Sequence, residues 1–277
     1  MKAPATSFAL TVFQGRAGDR NPHAMRAAPR LGAAWAARTD LMPVHVGEPQ
    51  PPLAASWEVE LPAASAELSA LAARCDAVLS TYAVPLTVMG RCATALATLP
   101  VAVRHHPEAC VVWFDAHADC NTPQSSTSGY LGGLVLSGAA GLWDSGLGAG
   151  LDLKRLVLVG SRDIDPPEAR LIASAGITLV GPGSNLAMRL ASALQGRPAY
   201  VHFDCDVLEP GLVPTEYRVP GGLGWQDVRE AFAVLAVNGI VGLEIAEFED
   251  SFDPGGPPAS AEALLDSLST AWATTRP

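Results

Sequence analysis

The chain has 277 residues, 49% of them apolar, and a formal net charge of -10. This length and apolar content predict a globular protein with a substantial core. A chain this acidic would repel nucleic-acid phosphates and anionic lipids, so we expect neither nucleic acid nor a membrane as a partner. A small-molecule or protein partner is favoured instead.

The N-terminal sequence MKAPATSFAL carries one Lys and no sustained apolar run, which argues against a secretory leader. No later segment approaches the ~18 apolar residues that a membrane span requires. The five cysteines include no CxxC pair, and their odd number and wide spacing predict that they are reduced. These features favour the cytoplasm.

Short β-type runs alternate with Ala- and Leu-rich segments along the chain. In order, the runs are SFALTVF, PVHVG, PLTVMG, ACVVWFD, RLVLVGS, GITLVG, AYVHFD and GIVGLEI, with segments such as AELSALAARC and MRLASALQG between them. This alternation predicts βαβ units, and runs that are apolar on both faces are typical of a parallel sheet covered by helices. We therefore predict an α/β fold, a single three-layer, doubly wound, mostly parallel sheet of about eight strands.

Two Pro-rich stretches interrupt this pattern, one at 47–64 and one at 254–258. Each could be a linker between domains. Because the alternation resumes after each of them, we interpret both as surface excursions of one domain over residues 1–277.

Acidic and histidine side chains follow two of the predicted strands, where VVWF continues into DAHADCNTP and AYVHF continues into DCD. Ligands of open α/β sheets bind beyond the carboxyl ends of the strands, and alternate residues of an extended chain point the same way. The residues concerned are Asp115, His117, Asp119, Asp204 and Asp206. Five such ligands suit two divalent ions that share carboxylates, and this donor set favours Mn²⁺. The alternative is that Asp115 and Asp204 only cap the helices that follow them.

The same segments resemble a known family. DAHADCNTP and HFDCDVLEPGLVP resemble the two metal motifs of the arginase or ureohydrolase superfamily, GSRDIDPPE resembles its amino-acid-recognition loop, and the likeness covers most of the chain from Val88 onward. The resemblance implies an amidinohydrolase with an arginase-like fold and two Mn²⁺ ions, other divalent metals being compatible. It makes Asp115 and Asp204 bridging ligands, with Asp119 on one metal and with His117 and Asp206 on the other.

The resemblance also implies contacts with an amino-acid substrate. Glu247, in LEIAEFED, resembles the glutamate that holds the guanidinium, and we expect Glu247 and Asp119 to act in catalysis. Asn121 and Ser128 are expected near the substrate α-carboxylate. Asp165 and Glu168, with Asp163 nearby, are expected near its α-amino group. The alternatives are a solvent-facing acid for Glu247 and a turn former for Asp165.

Two positions depart from the family pattern. In MGRCATAL, Cys92 stands where the family supplies a histidine to the first metal, and in TSGYLGGLV, Gly132 stands where it has a proton-shuttling histidine. A thiolate can bind a divalent metal, so we predict Cys92 as a ligand; the alternative is an inert buried cysteine. Loss of the imidazole predicts poor hydrolysis of ordinary arginine.

Both departures resemble the Nω-hydroxy-L-arginine amidinohydrolases associated with D-cycloserine biosynthesis, a branch that forms L-ornithine and hydroxyurea. We expect an open space at Gly132 to receive the additional hydroxyl of that substrate. Two alternatives stay open: an arginase or related guanidino-acid hydrolase that releases urea, and a catalytically impaired member that acts as a binding protein.

Two further features are left undecided by the sequence. Glu216, Tyr217 and Arg218 either reshape the mouth of the site or face water. The resemblance includes homo-oligomers, since family members commonly form trimers or hexamers, but no associating surface can be identified.

Overall fold

The computed structural model describes residues 7–253 and 255–272. The first six residues of the N-terminal stretch MKAPATSFAL, and Pro254 in the second Pro-rich stretch, lie outside these ranges. Within the described residues, every helix is too short or too polar to cross a bilayer.

Eight parallel strands form one sheet, and each coincides with one of the eight predicted runs. They are β1 (Phe8–Phe13), β2 (Val44–Val46), β3 (Val84–Val88), β4 (Cys110–Phe114), β5 (Leu156–Val159), β6 (Thr178–Val180), β7 (Ala199–Asp204) and β8 (Ile240–Ala246). The strand order is β2-β1-β3-β8-β7-β4-β5-β6, and every pair is parallel. The predicted fold class is therefore confirmed.

Helices cover both faces of this sheet. They are α1 (His23–Thr39), α2 (Trp57–Ser80), α3 (Ala95–His105), α4 (Val135–Ala139), α5 (Pro166–Ala175), α6 (Leu186–Leu194), α7 (Trp225–Asn238) and α8 (Glu262–Leu268). Apolar residues of α1, α6, α7 and α8 join one buried cluster, and those of α2, α3, α4 and α5 join the other.

The alternation of side chains along β4 shows how one strand serves both layers. Val112 and Phe114 belong to the first cluster, whereas Val111 and Trp113 belong to the second. Successive side chains of a strand point to opposite faces, so a strand buried on both sides must be apolar at every position.

The stretch 47–64 is not wholly a surface excursion, because α2 begins at Trp57 and continues through Pro62. The buried positions of α2 include Leu61, Ala64, Leu68 and Leu71. This spacing of three and four residues places one apolar stripe on a helix, and it already starts inside the Pro-rich stretch. The Pro content concealed that periodicity.

Candidate metal centre and substrate pocket

The predicted ligands follow four strands that are neighbours in the sheet. The strands lie in the order β3-β8-β7-β4. At or just beyond their carboxyl ends they carry, respectively, Cys92, Glu247, the Asp204–Asp206 pair and the Asp115–Asp119 segment. Parallel strands present these ends at one edge, so residues as distant in sequence as Cys92 and Glu247, 155 positions apart, meet there.

All six predicted metal ligands come together at this edge, and together with Glu247 they form three overlapping groups whose ligand atoms lie within 4.8 Å of one another. The groups are Cys92–Asp115–Asp119, Asp115–His117–Asp206 and Cys92–Asp204–Glu247. Asp115 and Cys92 each belong to two of the groups, whereas Asp204, the other predicted bridging carboxylate, belongs to one. The assignment of each ligand to a particular metal stays a prediction.

The charges of this cluster are poorly balanced by the protein. Burial, followed by the charge of Asp115, raises the pKa of Asp119 well above its ordinary value. Burial, followed by the charge of Asp206, does the same to the pKa of Asp204. The pKa of Asp206 is raised to about 6, first by burial and then by Asp115. Buried carboxylates that repel one another in this way, with an imidazole and a thiol beside them, fit divalent cations.

His117 connects two of these acids. Its Nδ1 lies 3.2 Å from Asp115 Oδ1 and 3.1 Å from Asp206 Oδ2. Burial opposes the charged imidazole, but the hydrogen bonds and charges of the two carboxylates outweigh it and raise the pKa of His117.

Glu247 is held by the chain on both oxygens. The Cys92 amide donates to Oε1 at 3.0 Å, and the Arg91 guanidinium donates to Oε2 at 2.6 Å. Glu247 is 3% exposed, so it is not the solvent-facing acid of the alternative interpretation. Each carboxylate oxygen has a second acceptor position, so these two bonds do not exhaust the acceptor capacity of Glu247. Glu247 is not among the residues that line the cavity described below.

Arg91 is an internal cation that the sequence reasoning missed. Its side chain is fully buried and lies within 3.3 Å of carboxylate oxygens from four acids, Asp19, Glu216, Glu247 and Glu249. An arginine beside a cysteine carries no recognisable signal in the sequence. The loop after β1 did carry one, because Asp19 follows a strand whose carboxyl end opens at the same edge.

Behind Cys92 lies a fully buried hydrogen-bond chain. The Cys92 sulfur is 3.1 Å from His202 Nε2, and His202 Nδ1 is 3.0 Å from Glu244 Oε2, whose other oxygen accepts from the Tyr200 hydroxyl. The Cys92 thiol also donates to Asp204 Oδ2 at 3.0 Å. Cys92 therefore has polar contacts on one side, although it also belongs to the second apolar cluster. Burial, followed by the charge of Asp204, raises the pKa of its thiol well above the ordinary value. Ligation of a metal by Cys92 stays a prediction.

A cavity of about 350 Å³ opens beside the cluster. It is lined by the predicted substrate contacts Asn121, Ser128, Asp165 and Glu168 and by the metal-cluster residues His117 and Asp119. The Asn121 amide donates to Asp165 Oδ2 at 2.9 Å. Groups predicted to face an α-carboxylate and an α-ammonium therefore lie in one cavity next to the cluster.

Asp165 and Glu168 also have a structural role. Asp165 caps the start of α5 in a capping box with Glu168, whose Oε2 accepts from the Asp165 amide at 2.9 Å. The other oxygen of Glu168 accepts from the Cys120 amide at 2.9 Å. The turn-forming interpretation of Asp165 therefore holds, and the same contacts fix Asp165 and Glu168 at the cavity wall.

Asp204 likewise caps a short 3₁₀ turn, accepting from the Asp206 amide at 2.7 Å. This contact orders the metal motif and does not remove Asp204 from the cluster. Asp119 and Glu247 have positive φ angles of 47° and 61°. Left-handed backbone is strained for these residue types and is found preferentially at functional sites.

The expectation of an open space at Gly132 is wrong. A Cβ atom built on Gly132 would lie 2.5 Å from Cε1 of Tyr130, so the tyrosine ring already fills the position. Tyr130 is two residues away from Gly132 in the sequence and folds back over it, which the glycine alone does not indicate.

The three side chains of the segment Glu216–Arg218 lie in different surroundings. Glu216 lies 3.0 Å from Arg91, and the Tyr217 ring lines the cavity with its centroid 5.2 Å from that of His117. Arg218 is exposed and donates to the Phe252 carbonyl. Of the three side chains, Tyr217 therefore lines the cavity, Glu216 pairs with Arg91 and Arg218 faces water.

Comparisons with known proteins agree with this geometry. The model of the Arginase family matches residues 8–269. An N(omega)-hydroxy-L-arginine amidinohydrolase from Streptomyces lavendulae is 40% identical over 97% of this chain and 99% of its own. Mouse Arginase-1 is 29% identical over 65% of this chain and 61% of its own.

Solved structures share the fold at lower sequence identity. An arginase from Bacillus subtilis superimposes with a TM-score of 0.82 at 18% identity, covering 97% of this chain and 99% of its own. An Entamoeba histolytica arginase in complex with L-ornithine gives a TM-score of 0.81 at 19% identity, with coverage of 97% and 99%. The family match spans nearly all of the described chain, and the chain therefore belongs to the arginase family.

Proposed function

We propose that the protein is a dinuclear-metal amidinohydrolase that cleaves Nω-hydroxy-L-arginine to L-ornithine and hydroxyurea. One observation carries the choice of substrate, namely the 40% identity over 97% of the chain with a hydroxyarginine amidinohydrolase. The position of Cys92 among the buried acids supports it, since Cys92 is one of the two residues on which the resemblance to that branch depends.

The ligands of the two metal ions are proposed to be Cys92, Asp115, His117, Asp119, Asp204 and Asp206. When bound, a pair of divalent ions makes a water molecule nucleophilic near neutral pH. Mn²⁺ is the proposed metal because carboxylate oxygens dominate the donor set, although the Cys92 sulfur also suits softer ions.

The chain's own residues would bind and orient the substrate. Glu247 holds the guanidino group through its free acceptor positions, and the Arg91 and Cys92 contacts keep its carboxylate fixed. Asn121 and Ser128 donate to the α-carboxylate, while Asp165 and Glu168 face the α-ammonium. A substrate fixed at both ends presents its guanidino carbon to the metal cluster. This positioning lowers the activation barrier because the entropy of orienting the substrate is lost on binding and not in the reaction step.

The cysteines bear on the location of the protein. All five cysteines are buried and unpaired, which supports a reducing compartment such as the cytoplasm. A place in D-cycloserine or related antibiotic biosynthesis follows from the resemblance alone and stays a prediction.

The test compares three substrates on the metal-loaded protein. Hydroxyurea or urea release is measured from Nω-hydroxy-L-arginine, L-arginine and agmatine in parallel, with the metal content of the same preparation determined. We expect two metal ions per chain and a preference for the hydroxylated substrate. Greater release from arginine would favour an ordinary arginase, and no release from a dimetal preparation would contradict the enzymatic proposal.

The role of Cys92 has its own spectroscopic test. Replacing the metal with Co²⁺ should give a sulfur-to-cobalt absorption band that disappears in Cys92→Ser, while Cys110→Ser, a buried cysteine of β4, retains it. A band that survives in Cys92→Ser would exclude Cys92 as a ligand.

A further inference from the structure

Tyr130 occupies the place that the side chain of residue 132 would take. A Cβ on Gly132 would approach Cε1, Cζ and Cδ1 of Tyr130 to 2.5, 3.0 and 3.2 Å. These distances are shorter than ordinary van der Waals contact, so no side chain fits at 132 while the ring is there. Gly132 and Tyr130 therefore depend on each other, because the aromatic ring occupies the volume that a side chain at 132 would need.

The ring is fixed by its neighbours. The Arg20 guanidinium lies 4.6 Å from the ring centroid in a cation–π contact. The Tyr217 ring packs from another side with a centroid distance of 6.2 Å. Contacts on two sides hold Tyr130 at the wall of the cavity, which it lines together with Asn121 and Asp119.

The hydroxyl of Tyr130 is inaccessible to solvent and has no hydrogen-bond partner among the described residues. A buried unpaired hydroxyl costs on the order of 1–3 kcal/mol, so nearly all such groups in proteins are paired. Burial, followed by the charge of Glu247, raises the pKa of Tyr130 well above its ordinary value, so the group remains a neutral O–H. Its chemistry fits a ligand group that offers an acceptor.

We propose that the Tyr130 hydroxyl binds the distal hydroxyl of an N-hydroxyguanidino substrate and thereby sets the preference for hydroxylated over plain guanidines. This inference rests on the proposed function and adds the group that recognises its substrate. The N–OH oxygen accepts from the phenol, and its proton can be donated in return. Plain arginine has no oxygen there and leaves the phenol unpaired, which is the kind of recognition that discriminates strongly.

The test removes one oxygen atom. In Tyr130→Phe the ring and its packing remain, so stability in urea should be unchanged or increased. The ratio of kcat/KM for Nω-hydroxy-L-arginine to that for L-arginine should fall at least fivefold, because only the hydroxylated substrate loses a contact. The matched control is Tyr82→Phe, the same change at a tyrosine that is 94% exposed, and it should leave the ratio as it is. A decrease smaller than fivefold in Tyr130→Phe would overturn the inference.

Calorimetric titration with the same two amino acids separates this inference from the proposed function. Wild type should bind Nω-hydroxy-L-arginine at least fivefold more tightly than L-arginine, and Tyr130→Phe should lose that margin. If the wild type hydrolyses neither compound, the proposed function fails, and the binding margin alone decides the role of Tyr130. A margin that is absent from wild type, or retained in Tyr130→Phe, contradicts the inference.

Discussion

Substitution of Gly132 by alanine is the sharpest structural test of the packing described above. The added methyl would lie 2.5 Å from Cε1 of Tyr130 and 3.0 Å from Cζ. Overpacking of this kind costs about 1–3 kcal/mol. The φ of Gly132 is not positive, so the backbone itself would favour alanine by about 0.4–1 kcal/mol. The expected outcome is a net loss of stability, measured as a lower midpoint of urea unfolding at unchanged m-value.

The neighbouring glycine is a matched control. Gly133 lies in the same 3₁₀ turn, and a Cβ built on it meets nothing within 4 Å. Gly133→Ala should therefore be neutral or slightly stabilising. In the Tyr130→Ala background, Gly132→Ala should no longer lower stability, which a double-mutant cycle would show as a coupling energy of about 1–3 kcal/mol. Equal midpoints for the two single alanine variants would refute the packing argument.

Three other expectations concern charge. Mn²⁺ added to chelator-treated protein should raise the midpoint of thermal unfolding in proportion to the logarithm of its concentration, because it binds the mutually repelling buried acids; no shift would contradict a metal site. Arg91→Met should lower the free energy of unfolding by about 3–5 kcal/mol by leaving Glu247 and Asp19 unpaired, whereas Arg170→Met, at an exposed position, should not. Burial raises the pKa of Asp19 from 3.8 to about 6, so the neutral carboxyl favours folding. The contribution of Asp19 to the free energy of unfolding therefore falls as the pH rises through this window. Asp19→Asn should therefore gain about 2 kcal/mol relative to wild type between pH 4 and pH 7, and a constant difference in urea unfolding would show the sign to be wrong.

The sheet could be predicted because its signal is local. Each strand is an uninterrupted apolar run with helical segments on either side, and a parallel strand buried on both faces requires such a run. The first turns of α2 were not predicted, because Pro62 is atypical of a helix interior. The helical spacing of apolar residues nevertheless begins there, at Leu61 and Ala64. Strand order was not predicted, because it depends on contacts between distant segments.

The site was predictable only where function requires several polar residues close together in sequence. Asp115, His117 and Asp119 occur within five residues, and their positions beyond one strand indicate a shared task. Arg91 has no polar residue of the site near it in the sequence before Cys92. Its role depends on acids that three other segments of the chain place around it. The network behind Cys92 was hidden for the same reason, since His202 and Glu244 lie inside strands that are otherwise apolar.

The arrangement at Tyr130 changes what a conversion to arginine hydrolysis would require. Introducing histidine at both Cys92 and Gly132 would supply the two missing imidazoles, but the new side chain at 132 would collide with the Tyr130 ring. The pair of substitutions should therefore destabilise the protein and give little arginase activity. Adding Tyr130→Asn removes the ring and with it the collision, so the preference should move towards arginine only in the triple variant. Substrate choice in this chain then depends on residues 130 and 132 together, because the two share one volume.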